Sequence, residues 1–106
     1  PLDAGVSEVD YCGLELTPFY QDFHRLKDAK VAFYCEYEQT IEVGNKRQGV
    51  ILAAIKRAFV DDTVIEKKND RYYVDAKELA PIGRLGGNDY SRLGDIITID
   101  RPEYKP

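Results

Sequence analysis

The chain has 106 residues, enough for one domain, and its 43% hydrophobic and 11% aromatic content argues for a globular fold and against disorder. The formal net charge of −4 provides no general attraction to phosphate backbones, which argues against a nucleic-acid-binding protein. No apolar run is long enough to span a bilayer, so no membrane association is expected either.

The two cysteines, Cys12 and Cys35, are far apart and have no metal-binding spacing. This pattern is typical of reduced, partly buried thiols in a cytoplasmic protein, with a single disulfide as the alternative. The chain begins at Pro1, contains no methionine, and opens with residues that show no periodicity. We therefore expect residues 1–28 to be irregular and the chain to be part of a longer protein.

Residues 31–43 carry the clearest strand pattern. Apolar and polar residues alternate over VAFYCEYEQTIEV, and Glu36, Glu38 and Glu42 fall on the face expected to be solvated. The following stretch at 49–60, GVILAAIKRAFV, is ambiguous. Its apolar spacing and its alanines favour a helix, whereas a strand buried on both faces would read much the same.

The second half of the chain predicts shorter elements. TVIE at 63–66 and RYYV at 71–74 flank a polar KKND turn and predict a β-hairpin. Asp75 followed by Glu78 forms a capping-box pattern, which predicts a short helical turn. DIITID at 95–100 predicts a final strand. Together these elements predict a mostly β domain of antiparallel strands with one or two short helices.

The stretch PIGRLGGNDYSRLGD combines a permissive backbone with cationic and aromatic side chains. Gly86 and Gly87 permit positive φ and let a ligand approach the backbone. Arg84 and Arg92 suit a phosphate or a carboxylate, and Tyr90 suits a planar ring. These properties match the phosphate and ring of a nucleotide or flavin.

A purely structural turn explains the same stretch equally well, if its arginines pair with Asp89 and Asp95. The stretch contains neither GxGxxG nor a Walker lysine. The single histidine, His24, lies near no nucleophile motif and is expected to face solvent or to pack. The residues therefore identify no metal site and no catalytic acid, base or nucleophile.

The order of the segments resembles one family. The segments that carry the resemblance are GLELTPF, VAFYCEYEQTIEVG, FVDDTVI, RYYVDAKELAPIGRLGGNDYSRLGD and ITIDRP. They resemble the C-terminal half of the flavin reductase-like, FMN-binding split-barrel proteins, in particular the group that includes the reductase component of nitrilotriacetate monooxygenase. RLGGNDY is the most specific of the matching segments.

The resemblance implies an antiparallel split β-barrel, of which residues 1–106 would be the C-terminal part, with barrel strands over residues 31–100. Family members have an apolar strand at the position of 49–60, so the resemblance favours a strand there over a helix. It also implies that FMN is the cofactor and that Arg84, Gly86, Gly87 and Tyr90 contact it.

The implied activity is an NAD(P)H-dependent flavin reductase, which can serve a partner oxygenase. The alternative is an FMN-binding module or electron carrier without reductase activity. A small β-barrel that binds oligonucleotides is a third interpretation, which the acidic balance disfavours. The resemblance further implies a homodimer or an association with the N-terminal half of the family fold, because a half-barrel leaves unpaired strand edges and an uncovered apolar face.

Overall fold

The computed structural model describes residues 3–45 and 47–106. In chain order, the elements are α1 (Glu8–Tyr11), β1 (Leu16–Tyr20), β2 (Phe23–Leu26), β3 (Val31–Glu42), β4 (Gly49–Val60), a 3₁₀ turn (Asp62–Val64), β5 (Ile65–Lys68), β6 (Arg71–Val74), α2 (Ala76–Leu79), β7 (Ile82–Arg84) and β8 (Tyr90–Arg92). The chain divides into two compact units, Pro1–Thr63 and Val64–Pro106.

The predicted fold class is confirmed in its coarse form, since the described residues are mostly β with two short helices. Their strands pair into four separate two-stranded antiparallel sheets, β1–β2, β3–β4, β5–β6 and β7–β8, and these sheets do not close into a barrel. No helix of the described residues is long and apolar enough to cross a membrane.

Two sequence-based expectations about the ends of the chain are wrong. Residues 1–28 are not irregular throughout, because they contain α1 and the β1–β2 hairpin. Residues 95–100 have the composition of a strand but no regular secondary structure. A strand is stabilised by hydrogen bonds to a neighbouring strand, and no described strand pairs with this run.

The first unit is dominated by the long β3–β4 hairpin, with 12 residues in each strand. The prediction that residues 31–43 and 49–60 form adjacent antiparallel strands is confirmed, with register pairs running from Val31–Val60 to Glu42–Gly49. Pairing along this whole length gives β4 backbone hydrogen bonds to β3, which outweighs the helical propensity of its alanines.

A β-bulge in β3 changes which side chains share a face. Tyr37 pairs with Ala53 and Gln39 pairs with Leu52, so Glu38 is an extra residue without a partner. A bulge shifts the alternation by one position. Ile41, which the sequence placed on the same face as Tyr37, therefore lies on the opposite face.

The face of the β3–β4 hairpin that carries Phe33 is exposed, although the sequence pattern predicted it to be the core side. Three of its register pairs are Phe33–Ala58, Cys35–Ile55 and Tyr37–Ala53. All six residues are uncharged, and the exposed fractions of Phe33, Tyr37 and Ile55 are 56%, 67% and 57%. We call these six residues the apolar face.

The opposite face of the same hairpin, which was expected to be solvated, is partly covered by β1–β2. The ring of Tyr34 lies 4.8 Å from that of Tyr20 and 5.3 Å from that of Phe23, measured between centroids. The Arg25 guanidinium lies 3.6 Å from the centroid of the Phe59 ring. Aromatic and cation–π contacts thus hold the two hairpins of this unit together.

Both cysteines are free and exposed, so the expected partial burial is wrong and the alternative disulfide is not formed. Cys12 follows α1, and Cys35 lies on the apolar face. Its exposure has the same origin as that of Phe33, because nothing described covers this side of the hairpin.

The second unit confirms that a hairpin and a helical turn are present, but β5 begins at Ile65 instead of residue 63 and includes Lys67 and Lys68, which were predicted to lie in the turn. β5 and β6 pair from Ile65–Val74 to Lys68–Arg71 around two turn residues with positive φ, Asn69 and Asp70. The Asp75 carboxylate caps α2 by accepting hydrogen bonds from the backbone N–H groups of Lys77 and Glu78, at 2.9 and 3.2 Å. Among the described residues only Val64 is fully buried.

Candidate functional site

The glycine-rich stretch forms the β7–β8 hairpin and its loop. The register pairs are Ile82–Arg92, Gly83–Ser91 and Arg84–Tyr90. The Leu85 amide donates to the Asp89 carbonyl at 2.9 Å, and the Asp89 amide donates to the Gly86 carbonyl at 3.2 Å. A segment in which the sequence indicated only a loop is therefore a closed hairpin.

One face of this hairpin brings the predicted side chains together. Residues directly opposite each other in an antiparallel pair share a face, as do residues two apart on one strand. Ile82, Arg84, Tyr90 and Arg92 consequently lie on the same side. Together with Ser91 they line an open depression of about 600 Å³. We call this side of the β7–β8 hairpin, together with the depression, the arginine face.

Arg84 is bound to its own loop. Its Nη1 donates to the Tyr90 hydroxyl at 2.9 Å, and its Nη2 donates to the Gly87 carbonyl at 3.1 Å. The guanidinium carbon also lies 5.4 Å from the centroid of the Tyr90 ring. Arg84, the last residue of β7, thus contacts both the loop and Tyr90, the first residue of β8.

The two glycines have different conformational roles. Gly87 has a φ of +63°, a conformation that side chains with a Cβ rarely adopt, whereas Gly86 has no positive φ. A Cβ built at either position would meet no atom within 4 Å. The loop backbone is therefore open to the approach of a ligand. The amides of Gly86, Gly87 and Asn88 donate to no acceptor among the described residues.

Arg92 has no counter-ion in the described part of the chain. Ion pairs seen there join other residues, such as Lys27 with Glu15 and Lys68 with Glu66. The arginines therefore do not pair with Asp89 and Asp95 as the structural-turn interpretation expected, although the contacts of Arg84 within its own loop agree with a structural role. Arg92 also makes no hydrogen bond to any other described side chain or carbonyl.

Ile82 and Ser91 also line the depression, and the sequence analysis did not identify them as site residues. The signal for Ile82 was its position two residues before Arg84, which places both on one strand face. That signal becomes visible only once residues 82–84 are recognised as a strand. No sequence pattern indicated Ser91 as a site residue.

The remaining candidates do not form a second site. His24 lies in β2 opposite Pro18 and is exposed, in keeping with a solvent-facing histidine. In residues 3–45 and 47–106, no group of three or more His, Cys, Asp and Glu side chains could hold a metal ion.

Two carboxylates of the described residues have shifted pKa values: Asp61 lies in a turn, and Asp75 caps α2. The Thr63 hydroxyl donates to Asp61 at 2.6 Å and its amide at 2.9 Å, and these hydrogen bonds lower the pKa of Asp61. The backbone N–H of Glu78, followed by that of Lys77, lowers the pKa of Asp75. Both carboxylates stay ionised at neutral pH, so neither is suited to donate a proton.

Two uncharacterised bacterial proteins are similar in sequence, whereas no protein-family model matches the chain. BH2278 of Halalkalibacterium halodurans is 27% identical over 107 residues, which cover 96% of this chain and 49% of that protein. YwrF of Bacillus subtilis is 32% identical over 82 residues, which cover 73% of this chain and 38% of that protein. The chain therefore spans about half of the first relative and less of the second.

Two solved structures share the fold. Component B of nitrilotriacetate monooxygenase from Bacillus cereus superposes with a TM-score of 0.75 at 22% identity, covering 92% of this chain and 49% of that one. The 2-nitrobenzoate 2-nitroreductase NbaA of Pseudomonas fluorescens gives a TM-score of 0.76 at 27% identity, covering 98% of this chain and 52% of that one. The chain has the fold of half of each protein.

Proposed function

We propose that the protein is an FMN-binding, flavin reductase-like oxidoreductase of the split-barrel family. In this proposal the chain forms the C-terminal part of the barrel, and the complete protein transfers reducing equivalents from NAD(P)H to flavin. The fold likeness to a monooxygenase component and a nitroreductase supports an oxidoreductase. The resemblance of the RLGGNDY segment to the flavin reductase-like family supports a flavin as the cofactor. The observation that carries the proposal is the arginine face, where two guanidinium groups and a phenol line one depression beside an open glycine backbone.

The chemistry of the arginine face fits FMN. Phosphate is bound by guanidinium groups and by backbone amides of glycine-rich turns, both of which are present, and Tyr90 offers an aromatic face for the ring. The resemblance assigns Arg84, Gly86, Gly87 and Tyr90 to the cofactor site, and Arg92 lines the same depression. A bound flavin supplies the hydride-accepting chemistry, and the residues of this chain bind and orient it.

A second candidate, supported by the same face, is an FMN-binding module or electron carrier without reductase activity. It requires only that flavin binds, whereas the reductase also requires a productive approach of NAD(P)H. We assign no catalytic acid, base or nucleophile to the arginine face, so both candidates leave the redox chemistry to the flavin.

The proposed partner of the apolar face is the other half of a longer polypeptide. In the two solved structures, the half that this chain matches accompanies a second half of similar size. The uncharged pairs of the apolar face would become core residues under such a cover, which removes apolar surface from water. Two copies of the complete barrel would then associate as a homodimer. A partner oxygenase and a cytoplasmic location complete the proposal.

The full-length protein provides the test. We expect the purified protein to bind FMN, with a flavin absorption spectrum that NAD(P)H bleaches under anaerobic conditions. Binding without bleaching by either NADH or NADPH would instead identify the binding module. A protein that stays colourless and takes up no flavin on titration would refute both candidates.

A further inference from the structure

We propose that Arg92 is the residue of the arginine face that contacts the phosphate of FMN, and that Arg84 is a positioning residue. The inference rests on the proposed function, because it assigns roles within the same site. It adds a ligand-contacting residue that neither the resemblance nor the fold comparison named. It also changes the role of Arg84, which the resemblance implied to be a direct contact.

The contacts of Arg84 show that two of its N–H donors are already used within the protein. Both of its Nη atoms donate to acceptors in the same hairpin, the Tyr90 hydroxyl and the Gly87 carbonyl. A phosphate that competed for these two N–H groups would leave the Tyr90 hydroxyl or the Gly87 carbonyl without its partner. The guanidinium therefore holds the ring of Tyr90 and the conformation of the loop in place.

Arg92 has the opposite properties. It lies on the same face, lines the same depression, and makes no hydrogen bond or ion pair with the described residues. All its donors thus remain available for a bidentate contact with phosphate oxygens. Its position two residues after Tyr90 on β8 puts a cation beside an aromatic ring, about 7 Å along the strand. A ligand that combines a planar ring with a phosphate matches this arrangement.

A comparison of FMN with riboflavin tests the assignment, because the two differ only in the phosphate. Dissociation constants of both are measured by flavin fluorescence for the full-length wild type and its variants. We expect Arg92→Ala to weaken FMN about ten- to hundred-fold and to leave riboflavin within about two-fold. We expect Arg92→Lys, which keeps a charge but not the planar fork, to lose part of this preference.

Arg84→Ala has a different expected signature. The ring site and the loop are disturbed for both ligands, so FMN and riboflavin weaken by the same factor and their ratio keeps its wild-type value. Arg101→Ala is the matched control, since it removes an equal charge from an exposed residue outside the depression. We expect this variant to bind both ligands as the wild type does.

The outcomes separate the two proposals. A wild type that binds neither ligand refutes the proposed function and this assignment with it. A wild type that prefers FMN while Arg92→Ala keeps that preference refutes the assignment alone. The same holds if Arg84→Ala abolishes the preference for FMN over riboflavin. Melting temperatures of all variants check that each is folded.

Discussion

The Arg84 guanidinium donates a hydrogen bond of 2.9 Å to the Tyr90 hydroxyl, across the register pair that closes the β7–β8 hairpin. This contact joins two residues that the sequence had proposed as separate ligand contacts. In the structure, these two side chains form a hydrogen bond with each other.

The hydrogen bond predicts coupling between the two side chains in a double-mutant cycle. Arg84→Ala and Tyr90→Phe each remove it, so the double variant should lose less stability than the sum of the two single losses, by about 0.5–1 kcal/mol. Unfolding free energies from urea titration measure this coupling. The cycle of Arg92→Ala with Tyr90→Phe is the control, and we expect it to be additive within about 0.3 kcal/mol. Equal coupling in both cycles would contradict the contact.

The two glycines of the loop predict different responses to substitution. Gly87→Ala places a Cβ on a residue with a φ of +63° and should cost about 1–2 kcal/mol of unfolding free energy. Gly86→Ala introduces a Cβ into open space without such strain, so a change below about 0.5 kcal/mol is expected. Thermal denaturation measures both. Equal stability losses would mean that positive φ is not what Gly87 provides.

A bulky side chain at Gly86 is expected to weaken FMN binding without lowering stability. Gly86→Val should weaken FMN by about ten-fold or more, because the side chain occupies the space through which a ligand reaches the backbone. Its melting temperature should remain close to that of Gly86→Ala. Unchanged FMN affinity at unchanged stability would remove the Gly86 backbone from the proposed site.

The apolar face predicts a large loss of stability at Ile55 in the full-length protein. Ile55 is 57% exposed here, and truncation of an exposed side chain has little effect, whereas truncation of a core residue costs about 2–5 kcal/mol. If the other half of the polypeptide covers this face, Ile55→Ala should fall in the second range. Lys56→Ala, at the neighbouring exposed position, serves as the control. A loss below about 0.5 kcal/mol for Ile55→Ala would show that the face stays open to water.

The ionised Asp75 cap predicts that the stability of the fold decreases at acidic pH. Its folded-state pKa lies below the ordinary value of an aspartate, chiefly because the Glu78 N–H donates to the carboxylate. A group with a lowered folded pKa stabilises the fold above its unfolded pKa, and this contribution disappears as the pH falls through the folded value. Asp75→Asn keeps an oxygen for the cap and removes the titration.

Melting curves of wild type and Asp75→Asn between neutral pH and about pH 2 measure this contribution. The stability advantage of the wild type should be constant from neutral pH down to about pH 5 and should then decrease with acidification. An advantage that stays the same at every pH would show that charge plays no part in this cap.

Local patterns determine several elements of this protein correctly. The alternation over 31–43 predicts β3, the polar KKND turn predicts the β5–β6 hairpin, and Asp75 with Glu78 predicts the capped helix α2. Each of these depends on neighbouring residues alone, through side-chain period, turn preference and capping hydrogen bonds. The chemistry of the candidate site was visible in the same way, as arginines, glycines and a tyrosine close together in the chain.

Pairing between segments decides the rest. The local pattern of residues 49–60 fits either a helix or a buried strand until β3 provides a partner, and 95–100 have the composition of a strand although no described strand pairs with them. The bulge at Glu38 reassigns Ile41 to the other face, and only the Arg84–Tyr90 pair distinguishes an engaged arginine from the free Arg92. Register and contacts between strands are non-local quantities, so side-chain period and propensity cannot specify them.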